Sequence, residues 1–208
     1  MNSPSAKSAV TRGTGILESM LARRRAQKAN SLIPLRLRSG KILDIGCGSY
    51  PYFLTHTTFK EKYAVDQLHA QWAFADIMFT NLSLAEQPSL PFPDKFFTVI
   101  TLLAVAEHLH PDHLNAVLQD CSRKLCPGGM LILTTPAAWT DKILRALAAM
   151  RLVSPEEIHD HKFKYTSSLL GWHLGKAGFQ IDKLQFGSFE CGMNLWVTAE
   201  RGPDGDTP

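Results

Sequence analysis

Strand-like and helix-like segments alternate along most of this 208-residue chain, and the alternation limits its fold more than any other feature. Lys41–Ile45 and residues 96–102 are short apolar runs with the length of buried strands. The apolar series Leu114, Val117 and Leu118 has the spacing of a helix that packs on a sheet. Strands that alternate with helices form a parallel sheet with helices on both faces.

The last two strand-like segments break the alternation. Residues 180–187 and 192–199 are joined by a short connection, and a parallel pair would need a long crossover. These two strands are therefore expected to be antiparallel. The sequence predicts an α/β fold with a seven-stranded, mostly parallel sheet, an antiparallel C-terminal strand and helices on both faces.

Length and composition fit one globular domain. A chain of 208 residues is large enough for one core and too short for two full domains. Its shares of apolar residues, 45%, and charged residues, 20%, are ordinary for such a domain. We expect this domain to cover residues 14–200, between flexible ends at 1–13 and 201–208.

Targeting and cysteine patterns bear on the compartment. The apolar runs are too short to span a bilayer, and the N-terminus has no signal-peptide pattern. The four cysteines are scattered, without the spacing of a zinc site or a disulfide framework. These features predict a cytoplasmic protein without a structural metal. The sequence leaves open whether the chain forms a homodimer.

Positive charge is concentrated at the front of the chain. Residues 1–41 hold nine Lys and Arg and one acid, whereas the rest holds thirteen basic and eighteen acidic residues. Residues 14–38 are predicted to form a basic N-terminal helix. Such a helix either presents a solvated face or attracts phosphate-bearing substrates, anionic lipid headgroups or nucleic acid.

Glycines and acids lie where the first two predicted strands end. Gly46, Cys47 and Gly48 directly follow the first strand, which contains Asp44, and glycines there allow a sharp turn close to a ligand. Asp66 closes the second strand, 20 residues after Gly46, where an acid accepts hydrogen bonds from ribose hydroxyls. This pattern favours a ribose-bearing cofactor at the carboxyl ends of the strands.

The third glycine of the dinucleotide-binding fingerprint is missing. Tyr50 and Pro51 occupy the place where the chain would approach a pyrophosphate, and no second domain is available for a hydride acceptor. A nicotinamide cofactor is therefore less favoured than a cofactor without a pyrophosphate, such as the sulfonium S-adenosylmethionine.

Six motifs occur in a characteristic order. They are Ile42 to Gly48 (ILDIGCG), Asp66, Ala75-Asp76 closing a predicted third strand at 72–76, Leu90-Pro91-Phe92, Glu107-His108-Leu109, and Lys124 to Gly129 (KLCPGG). From about residue 41 to residue 197 the chain resembles the small-molecule class I S-adenosylmethionine-dependent methyltransferases, the group that includes the ubiquinone-biosynthesis type. This resemblance implies a Rossmann-like fold. Tyr50, in place of a glycine, and Thr98, in place of a common Asp, depart from the family pattern.

The resemblance also implies the cofactor contacts. Asp44, Gly46, Cys47 and Gly48 would hold the methionyl part of S-adenosylmethionine, and Asp66 its ribose. The remaining contacts would be Gln67 beside the adenine, Asp76 and Ile77 at its amino edge and face, and Leu103 and Ala104 under the sulfonium. The product of the cofactor would be S-adenosylhomocysteine.

Acceptor and base candidates come from loops over the strand ends. His108 and His161 are candidate proton acceptors, needed only when the acceptor is protonated. Residues 136–166 are expected to build the acceptor pocket and the N-terminal helix to act as a lid. Tyr50, Trp139, His159 and Tyr165 are the candidate pocket residues. His159 and His161 lack a third ligand, so no metal site is predicted.

Several functions stay open at this point. The leading hypothesis is methyl transfer to a small-molecule, glycan or lipid-linked acceptor. Methylation of RNA or DNA is less favoured, because no aromatic-rich basic surface accompanies the arginines. A cofactor-binding regulator without catalytic activity and a nicotinamide-dependent oxidoreductase are the remaining alternatives.

Overall fold

A computed structural model describes residues 17–68, 74–159 and 162–203. The strands are β1 (Lys41–Ile45), β2 (Glu61–Asp66), β3 (Ile77–Asn81), β4 (Phe97–Leu103), β5 (Leu125–Pro136), β6 (Leu184–Phe189) and β7 (Asn194–Glu200). The helices are α1 (Glu18–Leu32), α2 (Tyr52–Thr55), α3 (Pro111–Lys124), α4 (Asp141–Ala149), α5 (Pro155–His159) and α6 (Ser167–Lys176).

All seven strands belong to one sheet with the order β3-β2-β1-β4-β5-β7-β6. The pairs that join β3, β2, β1, β4 and β5 are parallel. β7 runs antiparallel to both of its neighbours, β5 and β6. The predicted Rossmann-like sheet with an antiparallel C-terminal strand is confirmed.

Apolar side chains cover both faces of the sheet because neighbouring strand residues point in opposite directions. Ile42 of β1 belongs to the apolar cluster that includes Ala26 of α1 and Phe53 of α2. Leu43, the next residue, belongs to the cluster that includes Leu114 of α3 and Leu170 of α6. Helices therefore pack on both faces, as predicted, and this explains why β1 is a continuous apolar run.

The basic N-terminal helix predicted over 14–38 is α1, which ends at Leu32 and not at residue 38. Its buried residues are the small Ala22, Ala26 and Ala29, whose spacing of three to four residues forms one narrow face. Arg23 and Arg24 are exposed to solvent. Small side chains on the buried face bring the helix close to its neighbours.

The predicted third strand is wrong in position. Residues 69–73 lie outside the described residues, and the strand β3 begins at Ile77 instead of ending at Asp76. β3 pairs in parallel with β2, and Ile77 lies opposite Lys62 while Asn81 lies opposite Asp66. Asp76 therefore precedes the amino end of the strand, where it forms an ion pair of 2.8 Å with Lys62.

The last two strands begin later than predicted. A one-turn helix at Ile181–Lys183 precedes β6, and the turn between β6 and β7 spans residues 190–193.

Among residues 17–68, 74–159 and 162–203, the helices are too short or too polar to cross a membrane.

Candidate functional site

The strand order reverses at β1, which lies between β2 and β4. In parallel sheets of this kind, ligands bind beyond the carboxyl ends of the strands at such a point. The glycine turn after β1, the acid that closes β2 and the turn after β4 all lie at this edge of the sheet.

Gly46 starts the turn after β1 in a backbone conformation that favours glycine. Its φ is +75°, and a Cβ atom at this position would lie 2.4 Å from Cγ2 of Val105. Its main-chain N–H donates to the carbonyl oxygen of Val65 at 2.7 Å. The turn therefore needs a residue without a side chain, both for its backbone and for its contact with the segment after β4.

Asp66 joins this turn to the loop after β2. Its Oδ2 accepts from the main-chain N–H of Gly48 at 2.7 Å, and its Oδ1 accepts from the N–H of Leu68 at 2.9 Å. The residue is 2% exposed. A carboxylate has about four lone-pair sites, so it can accept from several donors, ligand hydroxyls among them.

Asp44 is a buried acid on β1. Its Oδ1 accepts a hydrogen bond of 2.6 Å from the hydroxyl of Thr101 on β4. Burial raises the pKa of Asp44 to about 7, the hydrogen bond from Thr101 opposes this rise, and the Asp66 carboxylate adds to it. The carboxyl therefore changes its protonation state near neutral pH.

Replacing Asp44 with asparagine is expected to stabilise the protein more at pH 8 than at pH 5. A carboxyl whose pKa rises on folding contributes stability that is full below its unfolded pKa and is lost as the pH rises through its folded pKa of about 7. Asparagine stays neutral, so the gain in unfolding free energy should grow by roughly 2–3 kcal/mol between these pH values. Urea unfolding at both pH values measures it.

Asp182→Asn, at an exposed acid, is the matched control. Its effect on the unfolding free energy should be the same at pH 5 and pH 8. An Asp44→Asn gain of equal size at both pH values would contradict the raised pKa.

The turn after β4 forms the far wall of the site. Ala104 has a φ of +58°, and its main-chain N–H donates to the carbonyl oxygen of Thr134 at 3.0 Å. The one-turn helix Ala106–His108 follows. The carbonyl of Glu107 accepts from the main-chain N–H groups of Lys162 and Phe163 at 2.8 and 3.2 Å. These bonds tie the turn to the segment before α6.

Two cavities meet at this edge of the sheet, and Gly46 and His108 line both of them. The smaller cavity is also lined by Asp66 and Gln67. The larger has a volume of about 200 Å³ and is covered by α1. Its apolar lining residues include Leu17, Met20, Leu21, Leu144, Leu147, Val153, Ile158 and Met193.

Most of the residues predicted to contact a cofactor line these cavities. Asp44, Gly46, Cys47, Leu103 and Ala104 line the larger cavity. Asp66 and Gln67 line the smaller one, and Gly48 contacts Asp66. Of the two candidate proton acceptors, His108 lies where the cavities meet, and His161 lies outside the described residues.

Asp76 and Ile77 are not brought to the site. Both lie at the amino end of β3, about 16 Å along the strand direction from the residues that follow its carboxyl end. The Lys62 ammonium group lowers the pKa of Asp76 and holds it there. Leu82 and Leu84, which follow β3, line the smaller cavity instead.

The four candidate pocket residues lie elsewhere. Tyr165 is fully buried in the apolar cluster beneath α3 and α6. Trp139 is 59% exposed, and His159 is also exposed. The ring of Tyr50 packs edge-on against Phe74, with centroids 5.8 Å apart. None of the four is among the described residues that line the two cavities.

The sequence did not identify several residues that line the larger cavity, including Glu18 and Arg25 of α1, Glu107, and Glu190 in the turn between β6 and β7. Glu107 is 2% exposed. The available signal was its place in the motif Glu107-His108-Leu109, directly after the apolar run 102–106, because an acid is rarely fully buried unless it is paired. The other three carry no comparable local signal.

Known structures share this fold. A methyltransferase from Archaeoglobus fulgidus, 16% identical, superposes with a TM-score of 0.66 over 86% of this chain and 94% of its own. A putative methyltransferase from Haloferax volcanii, solved with the activator Trm112, is 14% identical with a TM-score of 0.69 over 90% and 92%.

Human N-acetylserotonin methyltransferase, solved with SAM, is 14% identical with a TM-score of 0.65, over 90% of this chain and 55% of its own. The chain has no significant match among curated proteins. The sequence itself matches the family described as methyltransferase domain from residue 18 to residue 184. This match covers most of the chain, and the chain therefore belongs to the methyltransferase domain family.

Proposed function

We propose that this chain transfers a methyl group from S-adenosylmethionine to a small acceptor molecule. The observation that carries the proposal is the pair of cavities that meet at Gly46 and His108. One contains an acid at the end of β2, and the other is a larger, mainly apolar space under α1. In such a pair the smaller cavity would hold the ribose of the cofactor, and the larger would hold its methionyl part beside the acceptor.

The residues at the site suit this cofactor. Asp66 would accept the ribose hydroxyls, with Gln67 beside the adenine, and the turn at Gly46 would let the chain approach the methionyl part. Bound S-adenosylmethionine supplies a methyl carbon activated by the positive sulfur. It carries a net positive charge, which Asp44 and Glu107 would favour at the cavity wall.

The acceptor would occupy the part of the larger cavity between α1 and the segment 136–166, beside the methionyl part of the cofactor at Asp44 and Gly46. Leu21 of α1 packs with Leu144, Leu147 and the cluster of Ala148, Val153 and Ile158. The main-chain N–H of Ser154 donates to Oε1 of Glu18 at 2.8 Å, and this bond fastens α1 over the cavity. Helix α1 therefore acts as the lid, excludes water and orients the acceptor, and orientation alone contributes about 7–11 kcal/mol to such reactions.

His108 is the candidate proton acceptor. It is half-buried and lines both cavities, so it would lie between the cofactor and the acceptor. An imidazole in this position would take a proton from an acceptor hydroxyl or amine.

The charge of the cavity favours a small acceptor over nucleic acid. Its described lining contains the four acids Glu18, Asp44, Glu107 and Glu190 and one guanidinium, from Arg25. A polyanion entering this wall would meet like charges. An acceptor linked to a glycan or a lipid stays compatible if its charged part remains outside the cavity.

The test is calorimetric titration of the purified protein with S-adenosylhomocysteine, with NADH as the control ligand. We expect micromolar binding of S-adenosylhomocysteine and no binding of NADH. Binding of NADH alone, or of neither compound, would refute the proposal. Cofactor binding without methyl transfer to any acceptor in a broad screen would indicate a regulator instead of an enzyme.

A further inference from the structure

The turn between β6 and β7 places a glutamate at the larger cavity. Glu190 and Cys191 have φ values of +53° and +55°, and Gly192 follows with +82°. The main-chain N–H of Met193 donates to the carbonyl of Glu190 at 3.1 Å and closes the turn. Glu190 and Asn194 both line the cavity.

Only one of the two carboxylate oxygens of Glu190 has a hydrogen-bond partner among the described residues. Oε2 accepts from Nδ2 of Asn194 at 2.5 Å. Oε1 is buried and has no hydrogen-bond partner among the described residues. The same is true of Oε2 of Glu107, a residue that is 2% exposed and lines the same cavity. Two buried carboxylate oxygens at one cavity thus lack donors among the described residues, which is costly unless ligands supply them. The proposed function pairs Glu107 with the cofactor, which leaves Oε1 of Glu190 for the acceptor.

The other residues that line the larger cavity indicate which kind of hydrogen-bond donor would fit. It is mainly apolar, and its described ionisable groups carry more negative than positive charge. A carboxylate on the ligand would be repelled. A neutral hydroxyl would satisfy one lone pair and add no positive charge to that of Arg25 and Arg24, whereas an ammonium group supplies both donors and charge.

We propose that the larger cavity binds an acceptor with an apolar body and a protonated amine, and that Glu190 is the residue that recognises the amine. The proposal deepens the proposed function and rests on it. Burial raises the pKa of Glu190, while Arg25 and Asn194 oppose the rise. A bound cation beside Oε1 would further favour the ionised carboxylate.

Three probes of similar shape test the proposal on protein saturated with S-adenosylhomocysteine: 2-phenylethylamine, 2-phenylethanol and 3-phenylpropanoate. Calorimetry should show at least about tenfold tighter binding of the amine than of the alcohol, and weaker binding still of the carboxylate. Glu190→Gln should abolish the preference for the amine and leave the affinity for S-adenosylhomocysteine unchanged. Glu200→Gln, at the far end of β7, is the matched control and should retain the preference.

Each result has one meaning. If S-adenosylhomocysteine itself does not bind, the proposed function fails. If it binds and the amine does not bind, or binds no better than the alcohol or the carboxylate, the inference about the acceptor is wrong. A preference that persists in Glu190→Gln also overturns it. The selectivity of the unaltered protein decides the matter even if the variant does not fold.

Discussion

Replacing Gly46 with alanine is expected to abolish measurable binding of S-adenosylhomocysteine and to lower the unfolding free energy by about 2–4 kcal/mol. Two effects add. The φ of +75° is unfavourable for any residue with a side chain, and the new Cβ would lie 2.4 Å from Cγ2 of Val105. Relief of this overlap moves the turn after β1 away from the segment after β4, and both cavities lose their shared wall. Urea unfolding and calorimetric titration measure the two losses.

Gly128→Ala separates the two effects. Gly128 has a similar φ of +72°, but a Cβ atom there would meet nothing within 4 Å. This control should lose only about 1–2 kcal/mol and keep its affinity for S-adenosylhomocysteine. A second change, Val105→Ala, removes Cγ2 and should restore part of the stability lost in Gly46→Ala. If Gly46→Ala and Gly128→Ala lower the unfolding free energy equally, the contact with Val105 is unimportant.

The sheet and its helices were predictable because their patterns are local. The apolar run of β1 is covered on both faces, and α3 shows the period of a helix with one buried face. The antiparallel direction of β7 followed from the short connection before it. In each case the pattern can be recognised within a short stretch of sequence.

The position of β3 could not be predicted in this way. Residues 72–76 and Ile77–Asn81 are both short segments rich in apolar side chains, so the local pattern does not distinguish them. Pairing with β2 decides which segment is the strand, since Lys62 pairs with Ile77 and Asp66 with Asn81. Because the strand was predicted one segment too early, Asp76 was expected at its carboxyl end, whereas it lies at the amino end of β3.

The site was predictable where its residues belong to the glycine turn and the strand ends, and not where they come from distant elements. Asp44, Gly46 and Asp66 carry motif spacing in the sequence. Glu190 has none, because its place at the cavity depends on a hairpin turn that returns beside α1. Tyr165 was a candidate pocket residue, and the structure buries it in the main apolar cluster.

Asp66→Asn is expected to weaken binding of S-adenosylhomocysteine about 10- to 100-fold. Removing the charge from the acceptor of the ribose hydroxyls costs about 1.5–3 kcal/mol. Asparagine keeps the volume of the side chain but offers one oxygen and one NH₂ group. Because the N–H groups of Gly48 and Leu68 both donate to the carboxylate, the NH₂ group would face one of these donors. Both the ligand contact and the turn that shapes it are therefore weakened.

Asp76→Asn is the matched control, with the same chemical change on the neighbouring strand of the sheet. Asp76 lies at the amino end of β3 beside Lys62. The affinity of Asp76→Asn for S-adenosylhomocysteine should therefore stay within about twofold of that of the unaltered protein. Titration calorimetry of the two variants under identical conditions measures the difference. An equal loss in both would mean that the adenine side of the site involves the amino end of β3, contrary to its pairing with β2. If Asp66→Asn binds S-adenosylhomocysteine as tightly as the unaltered protein, Asp66 does not contact the cofactor.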